Sequence, residues 1–434
     1  MRKTLITIAI AVPICALLAV LLYNLPPVND RLAWRVEEVV LKIKYQLNPP
    51  QEVVFQPQEQ NEGAIPTATL PIPTPSPTEP LPPTAPGPTV THLPSPTTTI
   101  TQTPLPEEVS LQGVLYDDQH GRFNYCAPAN LSMALSYWGW DGNKDVVGPV
   151  VKPDGKDKNV MPYEMADYVE QETDLGVVVR VGGDLDTIKR FNSAGYPVLV
   201  EKGTYLRDLT GVVSWMGHYQ VVTGYDDTAQ IFTTQDSYVG PDHSVPYDEM
   251  TKNWRAFNNT YLVIYPQQEE AQVLELLGED INETSNYQRA ALTASDEIFA
   301  LEGIDQYFAW YNRGTNLMYL QDYAGAAEAY DNAFSVYAGL PEDDRPWRML
   351  WYQTGPYFAY FYSQRYWDVL NLADTTLNAM QSDKNLEESY FWRAKAKAAL
   401  GDTAGAIEDF RTSLRFHPDF GPALYELELM GAAP

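Results

Sequence analysis

The spacing of apolar residues along the chain first identifies an N-terminal apolar segment. Residues 5–23 form an uncharged apolar run that follows Arg2 and Lys3. Its length matches a bilayer core of about 30 Å at about 1.5 Å per residue. The early positive charges favour a cytoplasmic N-terminus. We therefore predict an uncleaved transmembrane signal anchor over residues 1–25, with the rest of the chain outside the cytoplasm. A cleaved signal peptide is the alternative.

Two segments with little core-forming capacity follow the apolar run. Residues 26–48 carry apolar side chains at helical spacing, which predicts a juxtamembrane helix, although a short coil or an interfacial helix fits as well. Residues 49–108 are rich in proline and threonine and lack the apolar content of a core. Proline favours extended polyproline II geometry. We expect a disordered, semi-rigid stalk that holds the downstream domains away from the membrane.

Residues 109–267 combine a helical pattern with a later series of short strand-like runs. The runs are separated by glycine, aspartate and asparagine, which are turn-forming residues. They lie near residues 176–182, 196–203, 217–227, 230–236 and 259–266. Helices followed by strands predict an α+β domain with an antiparallel sheet.

Residues 268–434 are helical in pattern and contain an internal repeat. The stretch YAGAAEAYDNAF at 323–334 aligns with TAGAIEDFRTSL at 403–414, and a third, degenerate unit lies between them. This region resembles tetratricopeptide repeats, in which small and aromatic residues alternate at the helix contacts. In the first unit these positions are Trp310, Gly314, Ala326, Tyr330 and Ala333. We predict an all-α repeat domain that binds a protein or peptide; a generic helical bundle is the alternative.

Composition and charge exclude one class of partner. The formal net charge is -28 at pH 7, whereas nucleic-acid binding needs a basic surface. The chain contains two cysteines, Cys15 in the apolar run and Cys126. Cys126 therefore has no second cysteine outside the predicted anchor with which to form an intramolecular disulfide.

Cys126 lies at the predicted start of a helix. Pro128 suits the first turn, and Leu131, Leu135 and Trp138 follow at helical spacing. The helix dipole favours a thiolate at this position by about 0.3–1 kcal/mol. This is less than the 1.36 kcal/mol that corresponds to one pKa unit. Activation of the thiol therefore needs a base as well.

The five histidines differ in how well they could serve as that base. His92 lies in the predicted stalk and His417 at a helix end in the repeats, which leaves His120, His218 and His243. His218 begins a strand directly after a glycine. If this strand and the next form a hairpin, Asp236 returns to the His218 end, whereas Asp226 and Asp227 lie at the far turn.

Three motifs in this region resemble the C39-like cysteine peptidases of the papain-like superfamily: NYCAPANLSMALSYWGW, GHYQVVTGYDD and QDS. The resemblance implies that Cys126 is the nucleophile, His218 the base and Asp236 the residue that orients the histidine. It also implies that Gln119 stabilises the oxyanion together with the Cys126 backbone N–H. Ala127 departs from the family, which usually has glycine there; alanine is harmless if this residue is helical.

These features together predict a membrane-anchored, extracytoplasmic cysteine peptidase of the cell envelope. It would hydrolyse peptide bonds of a peptide or protein substrate, and acyl transfer is a variant of the same chemistry. The rival hypothesis is a catalytically silent binding scaffold at the cell surface. We expect no cofactor and no metal, since His120 and His243 lack ligand-like spacing and the GGD at 182–184 is a turn.

Overall fold

The computed structural model describes residues 54–58, 104–122, 124–207, 212–380 and 383–434, together with individual residues between Tyr23 and Leu47. The predicted anchor at 1–25 lies outside the described residues except for Tyr23. Most of the predicted juxtamembrane helix and stalk lies outside them as well. The described residues between Arg35 and Leu47 are helical. Within the described part of the chain, no helix is both long and apolar enough to span a bilayer.

An antiparallel sheet forms the centre of the first domain. Its strands, within the described residues, are β1 (Glu108–Ser110), β2 (Leu175–Arg180), β3 (Val198–Arg207), β4 (Val213–Asp226), β5 (Ile231–Asp236), β6 (Gly240–Pro246) and β7 (Tyr261–Pro266). The spatial order is β2-β7-β3-β4-β5-β6, and β1 pairs with β4. This arrangement confirms the antiparallel sheet that the strand-like runs predicted.

Helices cover both faces of this sheet. They are α1 (Cys126–Ser136), α2 (Lys144–Val151), α3 (Pro162–Glu172), α4 (Leu185–Ser193) and α5 (Tyr247–Arg255). Successive strand residues point to opposite faces, so Leu199 packs with α1 while Val198 and Val200 pack with α4. Because both faces are covered, burial is unbroken over residues 198–203 of β3 and residues 217–225 of β4. Helix α1 lies deepest, with Leu131 and Leu135 fully buried.

The region after β7 is helical. Its elements are α6 (Glu270–Leu277), α7 (Glu283–Ala300), α8 (Gly303–Tyr319), α9 (Tyr323–Gly339), α10 (Met349–Tyr352), α11 (Gly355–Tyr362), α12 (Tyr366–Ala379), α13 (Glu387–Ala399), α14 (Thr403–Phe416) and α15 (Gly421–Leu429). Gly355 and Pro356 begin α11, which lies in the third, degenerate unit between the two matching repeats.

The internal sequence repeat has a structural counterpart at two helix starts. Asp322 accepts a hydrogen bond from the Gly325 N–H at the start of α9, and Asp402 accepts one from the Gly405 N–H at the start of α14. Each aspartate side chain satisfies an N–H that has no acceptor within its helix. The two units therefore begin their second helices in the same way.

The helical domain and the sheet domain share a core. Trp215 and Phe257 of the sheet domain stack with ring centroids 5.9 Å apart, and Trp215 also lies 5.9 Å from Phe308 on α8. Arg348 donates to the Trp215 carbonyl at 3.0 Å. Residues Pro106–Pro434 accordingly belong to one compact unit.

One residue of the predicted stalk packs in the core of the helical domain. Phe55 is only 7% exposed, and its ring centroid lies 4.9 Å from Phe334 and 6.1 Å from Tyr360. Val54 packs beside it. The chain around Phe55 is therefore not a free linker, although the predicted stalk begins at residue 49. One aromatic side chain is enough to attach this segment to the helical domain, even though the surrounding sequence has few apolar residues.

Candidate active site

Cys126 is the first residue of α1, as the sequence predicted. Pro128 occupies the first turn, and Ala127 is helical, so its departure from glycine causes no backbone strain. The side chain of Cys126 is half-buried. The first N–H groups of a helix have no acceptor within it. The sulfur therefore lies beside backbone donors at a positive helix end.

His218 approaches Cys126 from the sheet. It lies on β4 directly opposite Lys202 of β3 and is 1% exposed. Its Nε2 donates to Asp236 Oδ1 at 2.8 Å. Asp236 is the last residue of β5, which pairs with β4 as the predicted hairpin. Asp226 and Ile231 are partners at the other end of that hairpin, which confirms that Asp226 lies at the far turn.

The imidazole of His218 interacts with Cys126 on its other side. Nδ1 has no hydrogen-bond partner of standard geometry among the described residues. The Cys126 thiol is the neighbour whose hydrogen-bonding and charge interactions act on the ring. Hydrogen bonds at such sites are often long in the absence of substrate. Nδ1 is therefore available to accept the thiol proton.

The electrostatics of this pair favour the charged form of both groups. Burial opposes ionisation of Cys126, but the hydrogen bond and charge of His218 and the Tyr219 backbone N–H outweigh it, so the pKa of the thiol falls below its ordinary value. Burial likewise opposes protonation of His218, but Asp236 and Cys126 together raise the pKa of the imidazole to about 9. Between these two pKa values the pair is a thiolate and an imidazolium.

Several donors hold the Asp236 carboxylate in place. Oδ1 also accepts the backbone N–H groups of Tyr238 at 2.9 Å and Val239 at 3.1 Å. Lys202 Nζ lies 3.7 Å from Oδ2. Burial of Asp236 opposes ionisation, but His218 and Lys202 reverse this effect and hold the pKa of the carboxyl well below its usual range. Asp236 is therefore a fixed anion.

A chain of hydrogen bonds connects Gln119 to α1. Asn130 Nδ2 donates to both the Cys126 carbonyl and Ser237 Oγ at 2.8 Å. Ser237 Oγ in turn donates to Gln119 Oε1 at 2.7 Å. The Gln119 backbone N–H donates to the Ser237 carbonyl at 3.0 Å. Because Oε1 accepts from Ser237, the Nε2 end of the Gln119 amide is directed away from that contact.

Two further buried ionisable residues lie near the sulfur. Lys152 donates to the Asn124 carbonyl at 3.1 Å; burial lowers the pKa of its ammonium to about 8, with Asp157 and Cys126 acting in the opposite direction. Glu201 on β3 pairs with Tyr219. Burial raises the pKa of Glu201 well above its usual value, which favours the neutral carboxyl.

A large cavity lies beside this site and is separate from it. It has a volume of about 1740 Å³ and lies between the sheet and helical domains, where its lining includes Glu201, Tyr352 and Glu388. Cys126, His218 and Asp236 do not line it. Tyr352 packs against Gly217, where a β-carbon would lie 3.0 Å from the tyrosine ring. Glycine before His218 therefore lets the helical domain pack directly beside the histidine strand.

The structure brings together Cys126, His218 and Asp236, and it places Gln119 next to Ser237. Sequence reasoning missed Lys202, Asn130 and Ser237, although Ser237 is part of the QDS motif that it singled out. The other two histidines of this domain lie elsewhere. His120 is exposed and pairs with Asp118 at 2.5 Å, and His243 lies on β6.

Comparisons with known proteins give two similarities, one to a solved structure and one to a family model. No curated protein matches the chain. A Bacillus anthracis crystal structure, named as a C39-like peptidase, is 17% identical with a TM-score of 0.30; the similarity covers 36% of this chain and 96% of that one. Residues 108–267 match the model of the Peptidase_C39 like family. The sheet domain of this protein is thus similar in sequence to C39-like peptidase domains.

Proposed function

We propose that this protein is a cysteine peptidase that hydrolyses peptide bonds through Cys126, His218 and Asp236. The observation that carries the proposal is the position of the His218 imidazole. One ring nitrogen is fixed by Asp236 at 2.8 Å, and the ring interacts with Cys126 on the other side. A nucleophile, a base and an orienting anion in this order are the parts that thiol-based acyl transfer needs.

The reaction follows from the protonation states. His218 holds the thiol proton, and the Cys126 thiolate attacks the scissile carbonyl carbon. The resulting oxyanion lies near the Cys126 backbone N–H and the Gln119 amide, which would donate hydrogen bonds to it. Collapse breaks the C–N bond, and His218 gives its proton to the leaving amine. Water, deprotonated by His218, then attacks the thioester and releases the acid and the free thiol.

Acyl transfer to an amine would use the same thioester. Water and an amine are alternative nucleophiles for the attack on the thioester. The same residues therefore serve both reactions. The half-buried Cys126 is accessible to either nucleophile. We favour hydrolysis because residues 108–267 match a family model named for peptidases and because no second substrate needs to bind.

The helical domain would bind the substrate or a protein partner. Its equivalent aspartate caps at Asp322 and Asp402 and the contact of Gly314 with the Tyr330 ring support a tetratricopeptide-like arrangement. By fold analogy, such arrays present grooves to peptide segments. The N-terminal apolar run would attach the protein to a membrane and place both domains outside the cytoplasm.

Thiol alkylation distinguishes an enzyme from a silent scaffold. The full-length chain is treated with iodoacetamide at pH 6.5, and modification of Cys126 is followed by mass spectrometry. An enzyme reacts rapidly, and His218→Ala slows the reaction. Slow labelling that does not depend on His218 would identify a scaffold. Hydrolysis of a mixed peptide library, compared between the natural chain and Cys126→Ser, then tests peptide-bond cleavage directly.

A further inference from the structure

Three ionisable side chains meet at the junction of the two domains, away from Cys126. Glu164 lies in the first turn of α3 in the sheet domain. Glu387 begins α13, and His417 directly follows α14, both in the helical domain. Glu387 is only 1% exposed, while Glu164 and His417 are half-buried. Residues far apart in sequence therefore converge at the cavity between the two domains, which Glu164 and His417 line.

The distances within this cluster match those around a small metal ion. His417 Nδ1 lies 3.2 Å from Glu387 Oε1 and 3.8 Å from Glu164 Oε1. One donor atom from each residue lies within 4.8 Å of the other two. Ligands about 2.0–2.1 Å from a tetrahedral ion are roughly 3.4 Å from one another. The three donors can thus approach a common ion with small side-chain movements.

His417 Nδ1 and Glu387 Oε1 share a hydrogen bond at 3.2 Å, whereas another carboxylate oxygen of the cluster has no partner among the described residues. Glu164 Oε2 accepts the Met161 N–H at 2.6 Å, so Oε1 is the oxygen that faces His417. Glu387 Oε2 is fully buried and has no hydrogen-bond partner among the described residues, and the same holds for Oε2 of the neighbouring Glu388. A buried carboxylate oxygen without a donor is costly unless something else compensates it.

The charges around the cluster are predominantly negative. Burial raises the pKa of Glu387, and the charges of Asp157 and Glu164 raise it further. Glu388 acts on Glu164 in the same direction. Asp157 and Asp419 act electrostatically on His417. This environment favours either shared protons or a cation.

We propose that Glu164, Glu387 and His417 bind one divalent transition-metal ion of the Zn²⁺ class at the domain junction. An imidazole nitrogen with carboxylates suits Zn²⁺ and similar ions, whereas Ca²⁺ and Mg²⁺ prefer oxygen ligands alone. The ion fastens α3 of the sheet domain to the ends of α13 and α14. Its role is structural, and the proposal is independent of peptidase activity.

Metal binding is measured on the full-length chain carrying Cys126→Ser, because a thiolate and imidazole are themselves zinc ligands. The protein carries no histidine tag, is treated with EDTA and is desalted. ZnCl₂ is titrated by calorimetry, and bound metal is quantified by elemental analysis. Glu387→Gln and His417→Gln are compared with Glu408→Gln, an exposed position on α14. Co²⁺ provides an absorption spectrum that reports the ligand geometry.

We expect about one Zn²⁺ per chain, with affinity lowered at least 100-fold in Glu387→Gln and His417→Gln and unchanged in Glu408→Gln. Loss of an outer-shell partner alone typically costs 10–100-fold. Zn²⁺ should raise the melting temperature of the parent but not of the two variants. If one variant fails to fold, the other and the Co²⁺ spectrum decide. The proposal would be overturned if the parent chain bound much less than one Zn²⁺, if both variants bound Zn²⁺ as well as the parent, or if the site preferred Ca²⁺.

Discussion

His218 Nε2 donates to Asp236 Oδ1 at 2.8 Å, and both side chains are 1% exposed. Solvent does not screen this contact, and the carboxylate is held by two backbone N–H groups as well. The charge of Asp236 therefore acts on the imidazole at nearly full strength, and through the imidazole on the thiol of Cys126.

Replacement of Asp236 by asparagine tests this coupling. The variant keeps an acceptor for Nε2–H but removes the charge, so the pKa of His218 should fall and that of Cys126 should rise. Below both values, each unit of increase in the thiol pKa reduces the thiolate about tenfold. We expect alkylation of Cys126 at pH 6 to slow about 10–100-fold, with little change at pH 10. An unchanged rate profile would mean that Asp236 has only a structural role.

The pH profile of the natural chain should distinguish alkylation from hydrolysis. Alkylation needs only the thiolate, so its rate should rise through the lowered pKa of Cys126 and then stay high. Hydrolysis also needs the imidazolium to protonate the leaving amine. Because the pKa of His218 is raised to about 9, hydrolysis should decline as the pH rises through about 9. Two profiles that decline together would contradict this division of roles.

The hydrogen-bond chain from Asn130 to Gln119 predicts graded effects on turnover. Gln119→Ala should lower kcat by about 10²–10³, the cost of one oxyanion donor. Ser237→Ala leaves Gln119 in place but removes the donor to its Oε1, so a smaller loss of about tenfold is expected. KM and the alkylation rate of Cys126 should change little in either variant. A parallel loss of alkylation would indicate that α1 itself has moved.

The contact between Gly314 and Tyr330 makes a prediction about the helical domain. A β-carbon at Gly314 would lie 2.8 Å from the Tyr330 ring, so Gly314→Ala should force α8 and α9 apart and cost about 1–3 kcal/mol. Gly339→Ala is the matched control, because a β-carbon there meets nothing within 4 Å. Urea unfolding measures both. Equal stability of the two variants would show that α8 and α9 tolerate separation.

The sequence predicted the site residues that sit within clear local patterns. Pro128 and the apolar spacing after Cys126 gave the helix start, and the turn signals between β4 and β5 gave the hairpin that returns Asp236. Both features depend on residues close together in the chain. The predicted α+β order of the first domain depended on the same kind of information.

The features that the sequence could not predict depend on contacts between residues far apart in the chain. Lys202 faces His218 only because β3 and β4 pair in one register, and a shift of one residue would turn it to the other face. His417 looked like an ordinary residue at a helix end, since Glu164 and Glu387 are distant in sequence. The sequence also cannot show which carboxylates are buried, and burial rather than residue type sets whether they are charged.

The packing of Phe55 alters the mechanical role of the proline-rich segment. Phe55 anchors the chain on the helical domain, and Glu108 rejoins the sheet domain at β1. The residues on the two sides of the proline-rich stretch, at Phe55 and at Glu108, thus belong to the same compact unit. Tension applied upstream of Val54 would therefore reach the helical domain through Phe55 before it reached the sheet domain through β1. The number of residues between these two contacts can change without moving the point at which an upstream force acts on the protein.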